Sequence, residues 1–141
     1  MSYSFEKVEG DDTQISVLYD LISKRSHKIS HADLPSYDEH SKFVLNHPYL
    51  CWYLIRSSTD YVGSFYIKAD NSIGFNVQKP DKELVRLCLQ FVKKHFIPQP
   101  EEPSVVPNYF YLNVAASNLE LIDIMNDLKV PKIQLSFKLE W

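Results

Sequence analysis

The sequence predicts an α/β fold, a mixed and mostly antiparallel sheet with helices packed on its faces. Three observations lead there. Strand-forming and amphipathic runs follow the order strand, two helices, three strands, helix, strand, helix, strand. Residues 51–56, 61–68 and 72–77 are strand-like and separated only by short turns, the pattern of an antiparallel meander. The later strand–helix–strand steps call for parallel or crossover connections.

Each element has its own signal. Residues 3–8 (YSFEKV) suit a short strand. Gly10, Asp11, Asp12 and Thr13 supply turn and cap chemistry, and Ile15, Leu18, Tyr19 and Ile22 recur at helical spacing, predicting a helix over 13–25. Residues 26–35 suit a loop. Ser36 and Glu39 form a capping box, Tyr37, His40, Phe43, Val44 and His47 continue a helical face, and Pro48 stops it. The meander follows, with Asp70 and Asn71 marking its second turn.

The strongest helix is predicted over about 81–96. Leu84, Val85, Cys88, Leu89, Phe91, Val92 and Phe96 give it a wide apolar face. Asp81 and Glu83 open it and Lys93, Lys94 and His95 close it, an order that complements the helix dipole. Residues 97–108 hold four prolines and predict a stiff, exposed loop. A strand is expected over 109–115. A helix is expected over about 118–128, opened by a Ser117–Glu120 capping box. In the last segment Ile133, Leu135, Phe137, Leu139 and Trp141 alternate with Lys132, Gln134, Ser136, Lys138 and Glu140, predicting a strand with one buried and one wet face.

Composition narrows the function classes. The 141 residues suit one domain over 1–141, and the 45% apolar and 23% charged fractions are those of a globular chain, which excludes disordered and low-complexity classes. The net charge is −3 and the 15 Lys and Arg are scattered, so no nucleic-acid footprint exists. No uncharged stretch is long enough to span a bilayer, and the opening MSYSFEKVEGDD lacks a signal-peptide core, so no membrane partner is expected. The two cysteines, Cys51 and Cys88, have neither metal nor disulfide spacing and suit a reduced core, pointing to the cytoplasm. The glycines are only three, Gly10, Gly63 and Gly74, which limits loops that could wrap a phosphate.

The element order and three stretches of sequence resemble the GNAT superfamily of acyl-CoA-dependent N-acyltransferases. The first is SYDEHSKFVLNHPYLCWYLI at 36–55, similar to the capped second helix and following strand of enzymes that acetylate sugar nucleotides and small amines. The second is the meander YVGSFYIKADNSIGFNV at 61–77, and the third is the strand–helix block within 111–139. The resemblance covers nearly the whole chain and implies a GNAT-like α/β fold. It also implies acetyl-CoA as co-substrate, a small-molecule amine or amino-sugar acceptor, and a homodimer among the expected states.

The resemblance assigns roles to positions. In the superfamily a splayed fourth strand holds the pantetheine arm on its backbone, and amides at the start of the central helix hold the pyrophosphate. Here those positions are Phe75, Asn76 and Val77, then Lys79, Asp81, Lys82, Glu83 and Leu84. The junction from Gln78 onward contains no glycine. Asp81 and Glu83 place negative charge at the helix terminus, while Lys79 and Lys82 oppose it. Asn118 matches the helix-opening asparagine that orients the cofactor. The position of the superfamily's acid tyrosine falls on Met125, and its closing Gly-Phe on Lys129-Val130.

Glu39, His40 and Tyr111 are the catalytic candidates. Either Glu39 or His40 could bind or deprotonate an amine near the substrate-side helix. The bland alternative makes Glu39 a helix cap and His40 a surface residue. Tyr111 and Asn113 share one face of their strand, bordering the cleft. Tyr49, Trp52, Tyr53, Tyr61, Phe65 and Tyr66 suit either an acceptor pocket or cross-strand core pairs. His27 and His31 have an i, i+4 spacing but no further ligand, so no metal is expected. Two functions stay open: an N-acetyltransferase, or a catalytically inactive GNAT-fold module that binds a ligand or a protein.

Overall fold

A computed structural model describes residues 2–25 and 33–141. Its elements are β1 (Tyr3–Lys7), α1 (Asp12–Ser23), α2 (Tyr37–Leu45), β2 (Cys51–Ser57), β3 (Asp60–Ile67), β4 (Ser72–Val77), α3 (Lys82–His95), β5 (Tyr111–Leu112) and α4 (Leu119–Asp127). The five strands lie side by side in chain order. β1 to β4 pair antiparallel, and β5 runs parallel to β4 because α3 carries the chain back across the sheet.

Cap chemistry sets the helix starts. Asp11 Oδ1 accepts the Gln14 N–H at 2.8 Å, and Ser36 Oγ accepts the Glu39 N–H at 3.2 Å. Asp81 Oδ1 accepts the Leu84 N–H at 2.9 Å, and Asn118 Oδ1 accepts the Leu121 N–H at 3.3 Å. The last helix is therefore capped by Asn118, one residue after the Ser117 expected from the capping-box pattern.

Strand alternation builds a core on each face of the sheet. Trp52 and Leu54 meet Ile15 and Leu18 of α1 and Val44 of α2 on one face. Cys51, Ile55, Phe65 and Ile73 meet Leu84, Val85, Cys88 and Val92 of α3 and Leu121 and Ile124 of α4 on the other. Gly74 is required by this packing. A Cβ there would lie 2.0 Å from Cζ of Tyr66, its cross-strand partner, whose ring stacks on Tyr49 at 3.8 Å.

Asn71 anchors the proline-rich loop. It is fully buried and sits at φ +70°, where Asn is tolerated better than most residues. Its side-chain oxygen accepts the Gln99 N–H at 2.7 Å, and its Nδ2 donates to the carbonyls of Pro107 (2.7 Å) and Gln99 (3.1 Å). The loop is thus pinned at both ends and exposed at its tip, residues 101–105.

Two expected strands are corrected. The one over 109–115 contracts to Tyr111–Leu112, because the chain leaves β4 after two ladder pairs. The one over 132–141 is not formed, and every residue from 131 to 141 is exposed. Its alternation suits a strand, but a lone strand without a ladder partner has no independent stability.

Candidate active site

The central feature is a gap between β4 and β5. The two pair only at Ser72–Tyr111 and Ile73–Leu112, whereas the β3–β4 ladder runs on to Gly63–Val77. Residues 74–77 therefore have a ladder partner on one side only. They are half-buried, and alternate backbone N–H and C=O groups of such a run face the open side. A free edge of this kind can take an extended, amide-bearing chain as an added strand. An N–H held there can also polarise a carbonyl oxygen.

β4 leads through Gln78, Lys79 and a buried Pro80 to the α3 N-terminus. The Asp81 carboxylate occupies that terminus. It caps Leu84 and accepts a 2.5 Å hydrogen bond from the Tyr3 hydroxyl. The Tyr3 bond, followed by the Leu84 and Glu83 backbone groups, holds the Asp81 carboxyl below the usual range. The same bond pushes Tyr3 up to about 12. Glu83 is engaged by Arg86, with Nε donating to Oε2 at 2.9 Å and a terminal nitrogen to Oε1 at 2.5 Å. Lys79 and Lys82 are exposed beside this terminus. One helix amide is thus committed to an internal anion, and two exposed cations flank it.

The acceptor-side candidates separate in space. Glu39 is exposed at the start of α2, where its Oε1 accepts the Ser36 hydroxyl at 3.1 Å. His40 is buried, not at the surface. Its Nε2 lies 3.0 Å from the Ile15 carbonyl, so Nε2 carries the proton and donates, tying α2 to α1. Burial lowers its pKa, opposed by that backbone bond. Its ring packs on Tyr19 and Tyr37 at 5.1 and 6.2 Å.

Tyr111 and Asn113 both line an open groove of about 550 Å³ beside β5, shared with Tyr109 and the loop before it. Burial, and then the neighbouring Asp70, raises the Tyr111 pKa. Asp70 also accepts the Ser72 hydroxyl at 2.6 Å and its N–H at 3.0 Å. Asn118 is half-buried at the α4 cap.

The aromatic set divides between the two faces. Tyr53 stacks on Phe65 at 5.4 Å on the α3 side, while Trp52, Tyr49 and Tyr66 cluster on the α1–α2 side. Tyr61 donates to Glu6 at 3.1 Å. These are mostly cross-strand core pairs. His27 and His31 lie outside the described residues. Among those residues no three His, Cys, Asp or Glu side chains gather as a metal site. No helix among them is long and apolar enough to cross a membrane.

Sequence reasoning passed over Tyr3 as a partner of Asp81 and Asp70 as a partner of Tyr111. The first joins residues 78 positions apart and carries no local signal. The second joins the turn before β4 to a strand beyond α3 and is likewise set by tertiary position, whereas the Asp70 bonds to Ser72 have a local signal, an Asp two residues before a Ser in a turn.

By sequence, no family model and no curated protein matches the chain. By structure it is similar to a possible acetyltransferase from Clostridium difficile 630, at TM-score 0.58 and 11% identity, over 100% of this chain and 98% of that one. It is similar to AAC(6')-Iy in complex with the bisubstrate analog CoA-S-monomethyl-acetylneamine, at TM-score 0.58 and 9% identity, over 100% and 99%. It is similar to spermidine N-acetyltransferase from Vibrio cholerae, at TM-score 0.56 and 12% identity, over 89% and 77%. The chain has the α/β fold of the GNAT N-acyltransferases.

Proposed function

We propose that the chain is an acyl-CoA-dependent N-acetyltransferase acting on a small amine or amino-sugar acceptor. The unpaired β4 edge over residues 74–77 carries this reading. Backbone groups of Phe75, Asn76 and Val77 would hold the pantetheine arm of acetyl-CoA, which when bound supplies the activated acyl group. An edge amide would polarise the thioester carbonyl. Because Asp81 already takes the Leu84 amide, Lys79 and Lys82 would hold the pyrophosphate by side-chain charge.

Asn118 fixes the start of α4 beside the cofactor, and Glu39 attracts the acceptor's cationic amine. His40 positions α2, which carries Glu39, and Tyr111 lies on β5, the strand that parts from β4 to open the gap. A CoA-containing analog on one protein of this fold and spermidine as the acceptor of another support the choice of co-substrate and acceptor class.

One observation favours the second reading, an inactive module of the same fold: a carboxylate sits where the helix would meet an anion. Calorimetric titration with acetyl-CoA and with free coenzyme A separates the two. Saturable binding of both, followed by acetylation of an amine panel, is the expected result. No heat and no thermal shift at saturating ligand would leave the binding module.

A further inference from the structure

We propose that the groove beside β5 is a binding site for a neutral saccharide, held by the Tyr109 and Tyr111 rings and the side-chain amides of Asn108, Asn113 and Gln134. Its volume of about 550 Å³ falls among small-molecule sites, which span roughly 300–1,000 Å³. None of its lining residues belongs to β4 or α3, so the inference goes beyond the acyl-transfer reading and does not rest on it.

The lining selects the ligand. Phe110, Leu112 and Val114 pack on the core while Tyr109, Tyr111 and Asn113 line the groove, so the chain alternates between the two. The two tyrosine rings stand edge to face at 6.5 Å, and Tyr109 is 47% exposed. Such rings combine an apolar body with a polar tip. Amide side chains both donate and accept, as a sugar hydroxyl does. A pyranose presents the matching surface, C–H groups on its face and hydroxyls around its rim. Glu101 is the one charged residue among the described lining, and no Lys, Arg or His joins it. An anion would meet repulsion there with no counter-charge. A compact cation would gain only one exposed carboxylate, a pairing of little worth in water.

Both walls are held by a single turn. The Asn71 side chain fixes Gln99 and Pro107 at the two ends of the loop, and its carbonyl accepts the Tyr111 N–H at 3.2 Å. Asp70, one residue earlier, neighbours the Tyr111 hydroxyl. The loop tip closes on itself: Glu102 N–H donates to the Val106 carbonyl at 2.9 Å and Val106 N–H to the Glu102 carbonyl at 2.7 Å. A groove preorganised in this way loses little freedom when a ligand binds.

Amide-resolved NMR titration of the full chain tests this. Maltotriose, cellotriose and tri-N-acetylchitotriose are the neutral probes, with trigalacturonate and spermidine as charged controls. At least one neutral probe should give saturable shifts in the Asn108 and Asn113 side-chain amides, with a Kd in the millimolar range or tighter, and the controls should give none there. Tyr109→Ala should weaken that binding about three- to tenfold, and Tyr109→Phe, which keeps the ring, should retain most of it. Both variants should keep the parent's far-ultraviolet circular dichroism, because Tyr109 is half exposed. Calorimetric titration with coenzyme A should be the same in Tyr109→Ala as in the parent, so failure here and failure of the acyl-transfer reading are separate results. No shift at these amides with any neutral probe would overturn the proposal. So would spermidine shifts there without saccharide shifts, or saccharide binding that is indifferent to Tyr109→Ala.

Discussion

The Tyr3 hydroxyl donates to the Asp81 carboxylate at 2.5 Å, so the first strand of the sheet is tied to the cap of its central helix. Asp81→Ala removes the cap and this tie together and should cost about 1–2 kcal/mol in urea unfolding. Asp81→Asn keeps a cap and should cost less. Because folding lowers the Asp81 carboxyl, its contribution is complete above the ordinary value of 3.8 and is lost as pH falls through the lower folded value. Folding raises Tyr3, so its contribution is complete below 10.0 and is lost as pH rises through about 12. Melting temperatures should show both shoulders in the parent chain and neither in Asp81→Ala.

The same carboxylate makes a sharper prediction about ligand. If Lys79 and Lys82 meet the pyrophosphate beside the α3 terminus, removing the Asp81 charge should strengthen coenzyme A binding. Asp81→Asn should tighten it about two- to fivefold, the equivalent of the 0.3–1 kcal/mol that a charge contributes at a helix end. Lys79→Ala and Lys82→Ala should each weaken it by a similar factor. Calorimetric titration at low and high salt checks all three, since contributions from exposed charges fade as screening rises. Equal affinity in all four proteins would place the phosphates elsewhere.

His40 should make the fold sensitive to mild acid. It is buried with Nε2–H donating to the Ile15 carbonyl, and burial lowers its pKa below the ordinary 6.5. The unfolded chain then binds a proton that the folded chain refuses. Stability is complete above 6.5 and falls as pH drops through the folded value. His40→Phe keeps the ring among Tyr19 and Tyr37 but loses the bond, at about 0.5–1.5 kcal/mol near neutral pH. It should also flatten the stability profile around pH 6. Urea unfolding at neutral and mildly acidic pH reads both effects. A variant that keeps the parent's slope would remove His40 as its source.

The elements that were legible in the sequence are those with local signals. The α3 helix could be read from its apolar face and the meander from its turns, because 3.6- and 2-residue periods are properties of the chain itself. Asp81 could be placed at a helix terminus, but its bond to Tyr3 is set by the sheet's tertiary position. The length of β5 and the missing ladder for 131–141 depend on where β4 and β5 part, which no period encodes. His40 falls on a helical face either way, and only the packing of α1 against α2 decides that this face is buried.

Gly74 offers a test of the aromatic packing. Tyr66 crosses directly over it, and a methyl group would meet the ring at 2.0 Å. Gly74→Ala forces Tyr66 from its stack on Tyr49, an overpacking event that costs about 1–3 kcal/mol. Tyr66→Ala in the same chain should restore tolerance, so the double variant should lose less than the sum of the two single ones. A cycle of thermal or urea unfolding curves measures this, and strict additivity would contradict the contact.

Asn71 should hold the 97–108 loop as a unit. Asn71 is buried, its three hydrogen bonds to Gln99 and Pro107 are partly so, and its φ of +70° disfavours residues with a Cβ branch. Asn71→Ala loses the bonds and strains the backbone, for about 2–4 kcal/mol at roughly 1 kcal/mol per bond with a further 1 for conformation. Asn71→Gly relieves the conformational part only. Asn71→Asp keeps an acceptor for the Gln99 N–H but turns an oxygen toward two carbonyls, so it should be at least as damaging as alanine. The loss is local in origin, so limited proteolysis should cut first at the exposed tip, residues 101–105, in all three variants. Cleavage that begins elsewhere, or an Asn71→Asp chain as stable as the parent, would show that the loop is held by other contacts.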